Sequence, residues 1–336
     1  MTKKWTWIAL ALIITMSLVF AGCGGDKKAA DTKTPEKFVI KIAYENNPGE
    51  PIDTSVKEWA RLLKEKTNGK AELQLYPSSQ LGSKKDLMEQ MKLGSNVITI
   101  GDGAFFADYV PDFGILMGPY LADNVGQMMK LTKSQWFTDV SKQLEAKGFH
   151  IVAANWLYGT RHTVSTKPFT TPAEMQGLKI RVPNNKIQME SLKAMGATPT
   201  PMPLGEVYPA LTQGVINGAE NPIPVLYGQK HHEPAKYLVL TGHIINITQW
   251  FCGQSYWEKL PADVQKALLE SGEEAGVFMT ALAEKSEKEA TDKMVKEGTT
   301  VIQIDRNLFK EATKVVYTKF PEWTPGLYDK VQAIMK

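Results

Sequence analysis

Strand-forming and helix-forming stretches alternate from Lys37 to Gly101, and this alternation restricts the chain to an α/β fold. "KFVIKIAYE" (Lys37–Glu45) is a strand by its β-branched run, and "NNPGEPID" is a turn. "DTSVKEWARLLKEKTNGK" is an amphipathic helix with Val56, Trp59, Leu62 and Leu63 on its apolar face. Asp53 or Thr54 is its expected N-cap and Gly69 its end. "AELQLYP" alternates as a strand, "KKDLMEQMKLG" is a second helix, and "NVITIG" is a buried strand. Strand–helix–strand–helix–strand implies a largely parallel sheet.

A second cycle follows. One helix is expected around Met128 to Lys142, then one or two strands in "HIVAANWLYGTRHTVS". "GLKIRVP" is a strand after a turn of helix, and "NKIQMESLKAMGATPTPM" is a helix and a strand. "PLGEVYPALTQGVINGAENP" gives a short helix leading to a strand at "GAEN", and "KYLVLTGHIINITQWFCG" gives a long strand pair. No proline follows Pro261 until well past Gly298, so that span is one long helix. A strand at "TTVIQID" and a final helix or two complete the chain. Two α/β units, crossed by strand-like connections and strapped by a long helix, predict two lobes around a cleft. Ligands of open α/β sheets bind beyond the carboxyl ends of the strands. Glu45, Asp102, Arg161, Arg181 and Asn221 fall in or at the ends of such strands.

The N-terminus is a targeting segment. Lys3 and Lys4 precede an uncharged, mostly apolar run from Trp5 to Phe20, then "AGCGG". That run is short of the roughly 20 residues a spanning helix needs. Ala21 and Gly22 before Cys23 match the lipobox of bacterial lipoproteins, with Phe20 where Leu is usual. Cys23 is therefore the expected lipidation site, and "GGDKKAADTKTPEK" a polar tether. Only Cys252 remains, so no intramolecular disulfide is expected. His150, His162, His231, His232 and His243 form no metal-ligand spacing, and no metal or cofactor is expected. The net charge of +3 and the lack of a basic aromatic-interleaved block argue against nucleic-acid binding. Neither a G-x-S-x-G, a Walker A nor a G-x-G-x-x-G occurs. An exported, tethered chain without catalytic motifs points to capture of a ligand, not to an enzyme.

The stretches "GTRHT", "GLKIRVPN" and "GATPTPMPLGEVYPALTQGVINGAENP" follow one another between Gly159 and Leu226. Their order and spacing resemble the substrate-binding proteins of TRAP transporters, the branch of sialic-acid and C4-dicarboxylate binders. "LYPSSQLGSKKDLMEQMKLG" resembles them equally, and the match runs from about Phe38 to the C-terminal helices. The resemblance implies a two-lobe periplasmic-binding-protein fold with hinge strands and a long spanning helix. It implies a monomeric receptor that passes an organic acid to membrane permease subunits. The implied organisation is a signal peptide over 1–23, a tether over 24–36, lobe I over 37–158 with 247–286, and lobe II over 159–246 with 287–336. The carboxylate-holding arginine corresponds to Arg181, a second arginine to Arg161, and the amide of "ENP" to Asn221. Glu45 stands where sialic-acid binders carry asparagine, Asp102 approximately where an acid follows the third strand. Phe105 replaces a further arginine, and Leu204 an aromatic residue. These departures turn the reading away from sialic acid itself.

The chemistry of the residues agrees. A guanidinium offers two parallel N–H donors to a carboxylate. On a strand, Ile180 and Val182 enter the core while Arg181 faces the other way. Two arginines with two acids would repel the far end of a dicarboxylate but offer acceptors to hydroxyl protons. A sugar acid, uronate or aldonate, is therefore expected above a C4-dicarboxylate or sialic acid. A sensing receptor would use the same parts. An enzyme of the same acids would need a general base, for which His162 beside Arg161 is the one candidate visible in the sequence. Trp156, Tyr158, Tyr208 and Trp250 fit either core or cleft wall, whereas Met189, Met195 and Met202 are expected in the core and Glu206 at a helix start.

Overall fold

The computed structural model describes residues 37–336. The first α/β unit comprises β1 (Phe38–Ala43), α1 (Pro51–Lys66), β2 (Ala71–Tyr76), α2 (Lys84–Lys92), β3 (Val97–Gly101) and α3 (Gly103–Phe106). Then come α4 (Val125–Thr132), α5 (Gln135–Glu145) and β4 (Phe149–Ser165). The second unit holds β5 (Lys179–Val182), α6 (Lys186–Ala194), β6 (Thr198–Pro201), α7 (Val207–Thr212), β7 (Gly218–Pro222) and α8 (Ile223–Gly228). It is followed by β8 (Tyr237–Gly253), α9 (Gln254–Trp257), α10 (Ala262–Lys296), β9 (Thr300–Ile302), α11 (Arg306–Thr313) and α12 (Leu327–Met335).

All nine strands form one sheet in the order β2-β1-β3-β8-β4-β7-β5-β6, with β9 beside β8. Within each half the pairings of β1, β2 and β3, and of β5, β6 and β7, are parallel. The sheet as a whole is mixed, not largely parallel as the local alternation predicts. The reason is that β4 and β8, each 17 residues long, run antiparallel through both halves and join them. "KYLVLTGHIINITQWFCG" is thus one strand of this pair and not a pair by itself. The register between β4 and β8 slips four times, once between Leu157 and Gly159, where Gly159 faces Asn246. Such irregularities bend and twist a strand. Gly159 has φ +131°, and a Cβ there would lie 2.7 Å from Pro222 Cβ, so only glycine fits.

Helix α10 lies along β4 and touches both α1 and α8, so it straps the two halves as the sequence predicts. At about 1.5 Å per residue its 35 residues reach about 50 Å. Small residues permit the close fit. Trp59 Nε1 donates to Ser271 Oγ at 3.0 Å, and Trp156 Nε1 to the Gly272 carbonyl at 2.8 Å. Trp59, Trp156 and Trp250 pack mutually, with centroids 5.2–5.7 Å apart, and are core rather than cleft wall.

Several local expectations change. Helix α1 begins at Pro51, so neither Asp53 nor Thr54 caps it; Asp53 lies inside the first turn and accepts from Gly49 N–H and Tyr44 O–H. The single helix expected around Met128–Lys142 is two, broken by Ser134, which caps α5. Residues 287–336, expected with lobe II, divide between the halves. Phe309 packs in a second-half core, but Val316, Phe320, Trp323, Leu327, Val331 and Met335 pack in the first-half core. Helix α12 rests on α4. The amphipathic pattern marks these residues as buried without saying which core receives them.

Candidate functional site

The carboxyl ends of both strand sets converge on one cleft of about 710 Å³, its open mouth included. From the first half it is lined by Glu45 and Asn46 after β1, Lys84 on α2, and Asp102 and Phe105 after β3. From the second half come Arg181 on β5, Pro183 and Asn184 after it, Met202 and Leu204 after β6, and Asn221 on β7. Tyr158 and Arg161 on β4 and Asn246 and Thr248 on β8 form its floor. All five residues expected from the sequence, Glu45, Asp102, Arg161, Arg181 and Asn221, line this cleft.

Arg181 is 3% exposed, and its neighbours Ile180 and Val182 sit in a second-half core on the other side of the strand. Its Nε and Nη2 both donate to the Met202 carbonyl, at 2.9 and 2.7 Å. These two bonds occupy one edge of the guanidinium and fix its plane. No carboxylate among the described residues forms an ion pair with it. Burial pushes its pKa down to about 10, against the pull of Glu220 and Glu45, so it is a cation throughout the physiological range. Met202, expected in the core, serves through its backbone, which no side-chain pattern can reveal.

Arg161 has a different role. It is paired with Glu220: Nε meets Oε2, Nη2 meets Oε1 at 2.7 Å, and Nη2 also reaches the Glu220 carbonyl at 3.0 Å. Both side chains are buried, and His243 Nε2 lies 3.3 Å from Glu220 Oε2. Burial alone would raise the Glu220 carboxyl, but Arg161 and His243 hold it down at about 2. Glu220 escaped the sequence reading, although a lone acid in an otherwise buried strand is itself a signal for a cation partner.

Glu45 bonds Lys84 at 3.0 Å. Burial pushes its carboxyl up, but Lys84 and Arg181 outweigh this and hold it below the usual carboxylate range. Asp102 Oδ1 accepts from Ala104 N–H at 3.0 Å and so caps α3. Burial raises the Asp102 carboxyl against the opposing fields of Lys84 and Arg161. Tyr158, weighed as core or wall, is wall; Asn46 donates to its hydroxyl at 3.1 Å. Tyr208 and Glu206 are exposed, away from the cleft. His162 is absent from the cleft: its Nδ1 accepts from Gly242 N–H at 3.0 Å and its Nε2 faces Glu287 of α10 at 3.6 Å. Cys23 lies outside the described residues.

Beside the cleft, Glu50 joins the halves. Its carboxylate accepts from Asn46 Nδ2 at 2.6 Å, Asn47 N–H at 2.9 Å and, from the second half, Gln229 Nε2 at 2.8 Å. Burial raises its carboxyl to about 7 in spite of these bonds, with Asp53 adding to the rise. A raised carboxyl stabilises the folded state below the unfolded pKa of about 4.5 and loses that contribution as pH climbs through about 7. The shift corresponds to roughly 3 kcal/mol. Melting curves of Glu50→Gln against the parent between pH 5 and 8 should show the parent losing more stability as pH rises. Parallel curves would mean that Glu50 titrates normally.

A family model for "bacterial extracellular solute-binding protein, family 7" matches residues 42–322. Among solved structures, a TRAP periplasmic solute-binding protein from Ochrobacterium anthropi with bound L-fuconate is 50% identical, with TM-score 0.88 over 89% of this chain and 100% of that one. Another, from Actinobacillus succinogenes with bound L-galactonate, is 41% identical, with TM-score 0.87 over 88% and 99%. The sialic acid-binding periplasmic protein SiaP of Vibrio cholerae is 30% identical over 91% of this chain and 94% of its own.

Proposed function

Because the chain belongs to family 7 of the bacterial extracellular solute-binding proteins, we propose that it is the solute receptor of a TRAP transporter, binding an aldonate or uronate. The observation that carries this is Arg181: a buried guanidinium, held in plane by the Met202 carbonyl, facing a cleft without a carboxylate partner of its own. A buried charge without a counter-ion is costly, so an anion that meets it is favoured, and a carboxylate fits its fork. The other cations lining the cleft, Arg161, Lys84 and Lys85, already have Glu220, Glu45 and Asp108 among the described residues. One unmatched cation suits one carboxylate, and the surrounding Asn221, Asn246, Thr248 and Tyr158 suit hydroxyl groups. The bound L-fuconate and L-galactonate of the two similar structures are acids of this kind.

The receptor works by capture and carries out no reaction. Its lobes close about the Gly159–Asn246 register slip and deliver the acid to membrane permease subunits. A lipid on Cys23 tethers it to the outer face of the cytoplasmic membrane or in the periplasm; the mass of the mature N-terminus tests this point.

A thermal-shift series tests the ligand. At 100-fold its Kd a ligand adds about 2.7 kcal/mol of stability. L-fuconate, L-galactonate and uronates should raise the melting temperature, and succinate and sialic acid should not. A shift with succinate alone would make the site one for dicarboxylates. No shift with any organic acid would overturn the reading.

A further inference from the structure

Lys84 and Glu45 occupy the first-half wall of the cleft, across from Arg181 on the second half. Lys84 is the first residue of α2, whose start is set by a capping box between Ser83 and Asp86. Its Nζ lies 3.0 Å from Glu45 Oε2 and 4.6 Å from the centre of the Phe105 ring. The two side chains are only 14% and 16% exposed. A cation over an aromatic face is attracted by the ring quadrupole and has surrendered part of its hydration. Left alone, such a cation would be a second anion site. Glu45 supplies the counter-charge in place, and the wall becomes a matched pair.

We infer that the Lys84–Glu45 pair, seated on Phe105, sets specificity for the end of the ligand remote from its carboxylate, accepting hydroxyl groups and excluding a second anionic group. This rests on the reading that Arg181 holds the ligand carboxylate. A hydroxyl both donates and accepts, so it can bond Glu45 and Lys84 together without separating them. A second carboxylate or a phosphate only accepts. To reach Lys84 it must break the ion pair and lie against the Glu45 charge, and like charges so placed cost strongly in a desolvated site. Glu45 is thereby the residue that makes the site one for monoacids, and removing its charge turns Lys84 into a free cation.

The experiment uses L-galactonate and galactarate, which share a carbon skeleton and differ in whether the last carbon is a hydroxymethyl or a carboxylate. Calorimetry gives the ratio of their dissociation constants for the parent, Glu45→Gln and Lys84→Met, with circular dichroism melts for all three. The parent should favour galactonate at least about tenfold. Glu45→Gln should shift the ratio toward galactarate by about tenfold or more, and Lys84→Met should shift it the other way. A ratio unmoved in Glu45→Gln overturns the inference. So does a shift in the same direction in both variants, which would report a distorted cleft in place of a charge. A parent that binds neither sugar acid overturns the reading of the Arg181 site instead, and the inference falls with it.

Discussion

Arg181→Ala should weaken binding of the sugar acid by at least about 30-fold. Truncating one partner of a buried, hydrogen-bonded charge pair costs roughly 2–5 kcal/mol, and about 1.4 kcal/mol is tenfold in affinity. Arg181→Lys should lose a sizeable part of the same energy, because an ammonium is a point charge without the planar fork. It also cannot reproduce the double donation to the Met202 carbonyl that holds the fork in plane. Loss of that tie is a hydrogen-bond effect of about 1 kcal/mol, so both variants should fold. Titration calorimetry beside circular dichroism measures the two quantities separately. Parental affinity in a folded Arg181→Ala protein would remove the central contact of the proposed site.

The second large effect is on stability. Glu220→Ala should cost roughly 3–5 kcal/mol, since it strands the buried Arg161 cation. For a chain of this size that is a fall of roughly 5–8 °C in melting temperature. The pair also has a pH signature opposite to that of Glu50. The Glu220 carboxyl is held at about 2, so its contribution is complete above about pH 4.5 and disappears as pH falls through about 2. Glu220→Gln keeps the shape and drops the charge, and it should lie between parent and Ala. If Glu220→Ala melts with the parent, the Arg161–Glu220 contact carries no net energy.

The sequence made the elements legible where periodicity is local. The long helix Ala262–Lys296 and the buried strand Val97–Gly101 follow from pattern alone. The mixed sheet was not legible, because β4 and β8 announce themselves as apolar runs and nothing in such a run states its partner or its direction. Arg181 could be placed by alternation between Ile180 and Val182, and Arg161 and Asn221 by their motifs. Glu220, Lys84 and Met202 could not, for different reasons. Glu220 acts through Arg161 from behind the cleft. Lys84 belongs to a helix start whose lysines look like an ordinary solvated face. Met202 contributes a carbonyl, which every residue has.

The return of the C-terminus to the first half has a consequence for how the molecule comes into being. The core that begins with Ile40 and Ile42 is completed by Val331 and Met335, nearly three hundred residues later, and β3 waits for β8 before it has a neighbour on its far side. A chain synthesised and threaded from its N-terminus therefore emerges with its first lobe unfinishable. Contacts of such large sequence separation form slowly. We expect the nascent receptor to stay unfolded, and so translocatable, until its last helix is released. Pulse proteolysis of chains ending before Leu327 would show this as persistent sensitivity to protease.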